Sequence, residues 1–262
     1  MKKIVATHNN LMHADEVMAI ALLKVFTDYE IEIKRVAHQT KDFSDYDMVI
    51  DVSKQFDGVT FFDHHQHKGG KSSAGLIWSY LKQEEKYPKI SKLIKLIDDN
   101  DVGIKKAEEF EFSTLIQCFN LSKNLISKEQ DLQFEKAVDF AQTVVLSMKN
   151  KEDGIEIARE IIKNSYLFDN HQHILKLKKF TPSWSTLING EITPHIKAVV
   201  WEDKEDNSWK VQIPYIKPNS FDLNAKPLTQ DDLMTFVHST GYFAVTKDEK
   251  SMKKYLQKQV LL

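Results

Sequence analysis

Apolar positions open the chain as short unbroken runs and then settle into helical spacing. Lys3–Thr7 reads as a buried strand, and Asp15–Phe26 (DEVMAIALLKVF) as a helix with an acidic first turn. Ile31–Ala37 alternates like a strand. Met48–Val52 and Val59–Phe62 are further strand-like runs, the second leading directly into Asp63-His64-His65. Helical spacing returns from Ser73, breaks at Tyr87-Pro88, and resumes over Ile90–Ile97 before Asp98-Asp99-Asn100-Asp101. Each early strand therefore delivers the chain to polar, ligand-type residues.

Residues 128–180 read as long helices, with one stripe at Phe134, Val138, Ala141, Val145 and Met148 and another at Ile155, Ala158, Ile162 and Tyr166. Beyond Trp184 the pattern turns to strands over Ile196–Trp201, Trp209–Ile213 and Thr235–His238, with a closing helix over Asp248–Gln259. The pattern predicts an α/β architecture in three parts. A parallel-sheet domain spans 1–120, a helical connector 121–182 and a smaller α+β domain 183–262.

Composition narrows the function. With 36 basic and 38 acidic residues the net charge is −2, so no global basic field exists to grip a long duplex. Only Arg35 and Arg159 are arginines, which makes guanidinium clamps on phosphate scarce. The lone Cys118 cannot form an intrachain disulfide, and its apolar neighbours predict burial in a protein of a reducing cytoplasm. No apolar run spans a bilayer, and no secretory signal opens the chain.

Candidate chemistry gathers in the first third, where His8, His13, His38, His64, His65 and His67 account for six of the ten histidines. His8 ends a strand, His13 and Asp15 open the helix after it, and Asp51 and Asp63-His64-His65 end two further strands. In an open parallel sheet, the carboxyl ends of the strands line one crevice, so these residues can converge. Mixed imidazole and carboxylate ligands suit Mn²⁺, Fe²⁺, Co²⁺ or Zn²⁺. A strand-end aspartate such as Asp51 is placed to bridge two such ions. Trp78, Trp184, Trp201 and Trp209 read as core or interface anchors before base-stacking platforms. His171 and His173, two apart, read as solvated.

Four blocks, THNNLMHADE, VIDV, FFDHHQHKGGKSSAGLIWSYL and IDDNDVGI, with WKVQIPY and FVHSTGYFAVTKDEKSMKKYL further on, resemble the MYG (melanocyte proliferating gene) family, itself similar to the DHH phosphoesterases. The resemblance implies a two-domain hydrolase with two divalent metals, usually manganese, with Mg²⁺, Co²⁺ or Zn²⁺ as alternatives. It makes His8, His13, Asp15, Asp51 and His64 ligands, together with Asp98 or Asp101, of which Asp98 is favoured because it directly follows an apolar helix. It makes His65, with Asp63 beside it, the catalytic group at the scissile phosphate.

Substrate contacts are expected from Lys68, Lys71, Ser72 and Ser73, and from His238, Ser239, Thr240 and Gly241, with Lys247 nearby, across a cleft from the metals. The resemblance implies short single-stranded oligonucleotides or nucleotides as the substrate class, the chain being a possible homodimer. A pyrophosphatase or small phosphomonoesterase is the alternative within the class. Ala244 and Val245 stand where the family pattern has glycines, and the arginine expected after the DHHQ block is missing. These departures keep a non-catalytic metal-binding regulatory module as the alternative from another class.

Overall fold

The computed structural model describes residues 1–66, 69–168, 173–188, 196–214 and 227–258. The fold is mixed α/β, and the chain divides into two compact units, Met1–Asn150 and Lys151–Leu262. The region expected as a connector, 121–182, holds a long helix and two short strands, and the division falls inside that helix.

Unit 1 is built on a parallel sheet of β1 (Lys2–His8), β2 (Glu30–Val36), β3 (Met48–Ile50) and β4 (Phe61–Phe62), in the order β2-β1-β3-β4. All three pairings are parallel. Because the chain leaves β1 for β2 on one side and returns to β3 on the other, strand order reverses at the β1–β3 pair. Such a reversal opens a crevice beyond the strand ends, and β1 closes there with His8 while β3 gives way to Asp51.

Between β1 and β2 runs α1 (Ala14–Phe26), whose residues from Ala14 to Leu23 are all buried. That explains its nearly continuous apolar sequence: α1 has no solvent face until Lys24. Each fully buried Leu, Ile, Val or Met here contributes roughly 1.5–3 kcal/mol of transfer free energy. α2 (Ser73–Leu81) ends where Lys82 takes the left-handed conformation, φ +54°. α3 (Pro88–Asp101) starts on Pro88, which suits a first helical position, and continues through the acidic run to Asp101. α4 (Phe112–Gln117) and α5 (Lys128–Lys163) follow. Phe134, Ala137, Val138, Ala141 and Val145 of α5 pack into the same core as α1, α2 and α3.

The helical reading of 128–180 fails after Lys163. There the side chains of Asn164 and Ser165 bond the carbonyls of Glu160 and Ile161, capping the last turn. Two short strands, β5 (Tyr166–Leu167) and β6 (Ile174–Lys176), come next, so Tyr166 leaves the expected stripe. Unit 2 continues with α6 (Trp184–Ile188), β7 (Ala198–Asp203), β8 (Ser208–Gln212), β9 (Met234–Val237), β10 (Phe243–Thr246) and α7 (Glu249–Lys258). Its mixed sheet has the order β5-β6-β7-β8-β10-β9.

All four tryptophans are buried, as core anchors are. Cys118 is exposed instead of buried, with Sγ donating back to the Thr114 carbonyl at the end of α4. Its apolar neighbours turn inward instead, Ile116 from α4 and Phe119 from just beyond it. His173 sits in the turn before β6 with its carbonyl accepting from Lys197 and Ala198, and His171 lies outside the described residues. No helix among the described residues is long and apolar enough to cross a membrane.

Candidate metal centre

Two left-handed residues steer the chain into the crevice. Asn10 (φ +78°) bends the loop between β1 and α1, and Asp51 (φ +59°) turns the chain out of β3. Neither is glycine, and strain of this kind persists only where the surroundings impose it. His8, buried at the end of β1, donates through Nδ1 to the Asn9 carbonyl at 2.8 Å. That bond orients the ring and leaves Nε2 facing inward. His8 Nε2 stands 3.3 Å from Glu16 Oε1 and 3.4 Å from Asp51 Oδ2.

The other oxygen of Asp51 faces a different pair of rings. Oδ1 lies 3.5 Å from His64 Nε2 and 3.4 Å from His65 Nδ1. His64 Nε2 also approaches Asp101 Oδ2 at 2.9 Å and Asp15 Oδ2 at 3.9 Å. His13, Asp15, Asp51, His64, His65 and Asp101 line one cavity of about 450 Å³, completed by Ala14, Ile97, Asn100, Ser113 and Gln117. Three groups of ligand-type atoms, each within 4.8 Å of one another, fill this region: His8, His13, Glu16 and Asp51; Asp51, His64 and His65; and His13, Asp15 and Asp101.

Electrostatics mark the cluster as short of positive charge. Burial, reinforced by Asp51, Asp101 and Glu16, pushes the Asp15 carboxyl well above its usual range. Burial works against His8, yet the Glu16 and Asp51 carboxylates raise it to about 11. Asp101 and Asp51 raise His64 to about 10. Asp51 is held low by His64 and His8 although its burial acts in the opposite direction. Buried His8 Nε2, Asp15 Oδ1, Glu16 Oε2, His64 Nε2 and Asp101 Oδ2 have no hydrogen-bond partner among the described residues. Buried polar atoms are rarely left so, and inward-facing imidazole nitrogens and carboxylate oxygens are the donor set of a divalent transition metal. The residues fit a metal.

Several expected site residues have other duties. Asp98, the favoured ligand of the pair, accepts from the Ser72 amide at 3.0 Å and the Ser72 hydroxyl at 2.7 Å, capping α2, whereas Asp101 faces His64. α3 runs through both residues, and its turn points Asp98 at α2 and Asp101 at His64. Ser72 and Ser73 are fully buried and hold carboxylates instead of lining a substrate cleft. Ser73 donates from Oγ to Asp51 Oδ1 at 3.1 Å and from its amide to Asp15 Oδ2 at 3.3 Å. Lys71 bonds Ser79. Lys68 lies outside the described residues.

Asp63 is committed on both oxygens. Oδ2 accepts from the Lys54 amide, while Oδ1 accepts from the His65 amide and from His65 Nδ1 at 2.8 Å. It therefore orients His65, whose Nε2 is left available. In unit 2, His238, Ser239, Thr240 and Gly241 form the turn between β9 and β10. His238 Nδ1 meets Thr240 Oγ1 at 2.9 Å, and Lys247 is exposed after β10. Gly241 has a packing reason of its own: φ is +71°, and a β-carbon would lie 2.6 Å from Pro227 Cβ.

Sequence reasoning passed over Glu16 and Arg35. Glu16 is fully buried and its Oε1 accepts the His13 amide at 2.8 Å. The spacing His13-x-x-Glu16 is that of a capping box, a signal obscured because histidine stands at the cap. His38 stacks on His8 at 4.7 Å, an exposed neighbour of the cluster outside the ligand groups.

A family model, MYG1_exonuc, described as Uncharacterised protein family (UPF0160), matches residues 4–260. A Saccharomyces cerevisiae MYG1 protein is 23% identical over 318 residues, covering 96% of this chain and 94% of its own. A Mus musculus protein named MYG1 exonuclease is 24% identical over 269 residues, covering 83% of this chain and 70% of its own. A Chlamydia trachomatis MYG1 protein is 31% identical over 173 residues, covering 61% of this chain and 58% of its own. A match running from β1 to the end of α7 takes in both units, and on that ground the chain belongs to the MYG1 family.

Proposed function

We propose that unit 1 is a DHH-like two-metal centre that hydrolyses phosphoester bonds in short single-stranded oligonucleotides or nucleotides. The observation carrying this reading is the division of Asp51, with Oδ2 turned to His8 and Oδ1 to His64 and His65. A carboxylate so placed suits a bridge between two cations. The names of the Mus musculus and Bos taurus relatives, MYG1 exonuclease, support a nuclease over other phosphoesterases.

His8, His13 and Asp51 would hold one ion, and Asp51, His64, Asp15 and Asp101 the other. The mixed imidazole and carboxylate donor set suits Mn²⁺, Fe²⁺, Co²⁺ or Zn²⁺ over an all-oxygen magnesium site, and manganese is the ion the family resemblance implies. When bound, such a pair neutralises charge on the phosphoryl oxygens and lowers the pKa of water.

The chain's own contribution at phosphorus is His65. Asp63 accepts a hydrogen bond from His65 Nδ1 and raises the ring's pKa, which favours the protonated ring, the form whose Nε2 can hand a proton to the leaving oxygen. Ile97 and Ala14 give the cavity its apolar wall, while Ser113, Asn100 and Gln117 offer hydrogen bonds to a substrate. An exposed Cys118 without a cysteine partner suits a reducing cytoplasm.

The test is product release from a panel of short single strands, a duplex, nucleotides and pyrophosphate with Mn²⁺. Turnover of the short strands is expected, and His65→Ala should keep metal while losing roughly 10²–10⁴ in rate. Hydrolysis of pyrophosphate alone would move the protein to the pyrophosphatase class. No hydrolysis of any substrate would overturn the catalytic reading.

A further inference from the structure

The loop that carries His8 and His13 is gripped by three side chains that are not part of the cavity lining. Arg35, on β2, has a side chain only 3% exposed. Its Nε donates to the His8 carbonyl at 3.2 Å and its second terminal nitrogen to the Asn10 carbonyl at 2.8 Å. The guanidinium is itself fixed from α5, by an ion pair with Asp131 at 3.1 Å and by the Phe134 ring, 4.7 Å from its centre. Asn120 brackets Met12, accepting its amide at 2.8 Å and donating to its carbonyl at 2.9 Å. Gln130, fully buried at the start of α5, donates to the Asn10 carbonyl at 3.2 Å and to Asn120 Oδ1 at 2.7 Å, and accepts the Leu121 amide at 3.0 Å.

These bonds close on one another. The Asn10 carbonyl is shared by Arg35 and Gln130, and Asn120 Oδ1 by Met12 and Gln130. Apart from the Leu121 amide, every main-chain group they hold lies between His8 and Met12, where Asn10 is in the left-handed region and could otherwise relax. We propose that Arg35, Asn120 and Gln130 are positioning residues that set the backbone of 8–12 so that His8 and His13 meet Asp51 in metal-binding geometry. Their contribution rests on the two-metal reading but is separate from it. Planar donors spanning two carbonyls explain why an arginine is kept here in a chain otherwise furnished with lysine.

Partners lying behind metal ligands typically change metal affinity by about 10–100-fold when removed. The experiment measures Mn²⁺ affinity by calorimetry, together with amide hydrogen exchange of Met12 in metal-free protein, for the native chain, Arg35→Lys and Gln130→Met. Gln130→Met keeps the buried shape without the amide, so it guards against a variant that fails to fold, and thermal melting of the metal-free proteins checks that. Weakening of about tenfold or more, with faster Met12 exchange and retained cooperative melting, is expected in both variants. Native-like affinity in both would overturn the positioning role and leave the metal site standing. Failure of the native chain to bind Mn²⁺ would overturn both.

Discussion

Oδ2 of Asp101 lies 2.9 Å from Nε2 of His64, on a helix whose earlier aspartate, Asp98, is turned away to Ser72. Two carboxylates three residues apart therefore divide into one that faces His64 and the candidate metal centre and one that caps α2. Asp101→Asn should lower metal affinity and turnover with little change in stability. Asp98→Asn should leave metal binding near native but cost about 1–3 kcal/mol, because the cap loses a charged acceptor in a buried place. Paired urea unfolding and Mn²⁺ titration of the two variants separate these outcomes.

This division also marks how far the sequence could be read. β1, α1, β2 and α2 were legible because runs and periodicity are local, and the set His8, His13, Asp15, Asp51 and His64 because strand ends in a parallel sheet share one crevice. Choosing between Asp98 and Asp101 depends on where one helical turn points, and IDDND gives no sign of that. Ser72 and Ser73 are expected at a substrate cleft, yet helix packing buries them. Strands of two to four residues, such as β5, β6 and β10, are too short for alternation to register.

Gly75 sits on the same cap. An alanine in a helix ordinarily outdoes glycine by about 1 kcal/mol. Here a β-carbon would stand 2.8 Å from Asp98 Cγ and closer to both its oxygens, and that carboxylate is anchored by Ser72. Gly75→Ala is expected to destabilise the fold by about 1–3 kcal/mol. A urea midpoint at or above the native one would contradict the packing described for α2 and α3.

Metal loading should release protons. His8 is raised to about 11 and His64 to about 10, so in metal-free protein both rings carry a proton at neutral pH. A cation takes the lone pair in place of that proton, so apparent affinity rises as pH increases from the usual histidine range toward those values. Calorimetry in buffers of different ionisation enthalpy counts the protons. Affinity that falls between pH 6 and 8, or binding without proton release, would contradict the assigned ring environments.

Ser73→Ala should act on the centre at a distance from substrate. It removes the hydroxyl that Asp51 Oδ1 accepts at 3.1 Å and leaves a hydrogen-bonding site of a buried carboxylate empty. Mn²⁺ affinity is expected to drop by about tenfold, with the helix retained. An unchanged affinity would show that Asp51 is oriented by its backbone alone.

The bridging role proposed for Asp51 is tested most directly by metal content. Elemental analysis after Mn²⁺ loading and desalting should find about two ions per native chain and about one or fewer in Asp51→Asn, whose neutral amide cannot hold two cations together. Native protein with no retained metal, or Asp51→Asn with as much as the native chain, would contradict the account.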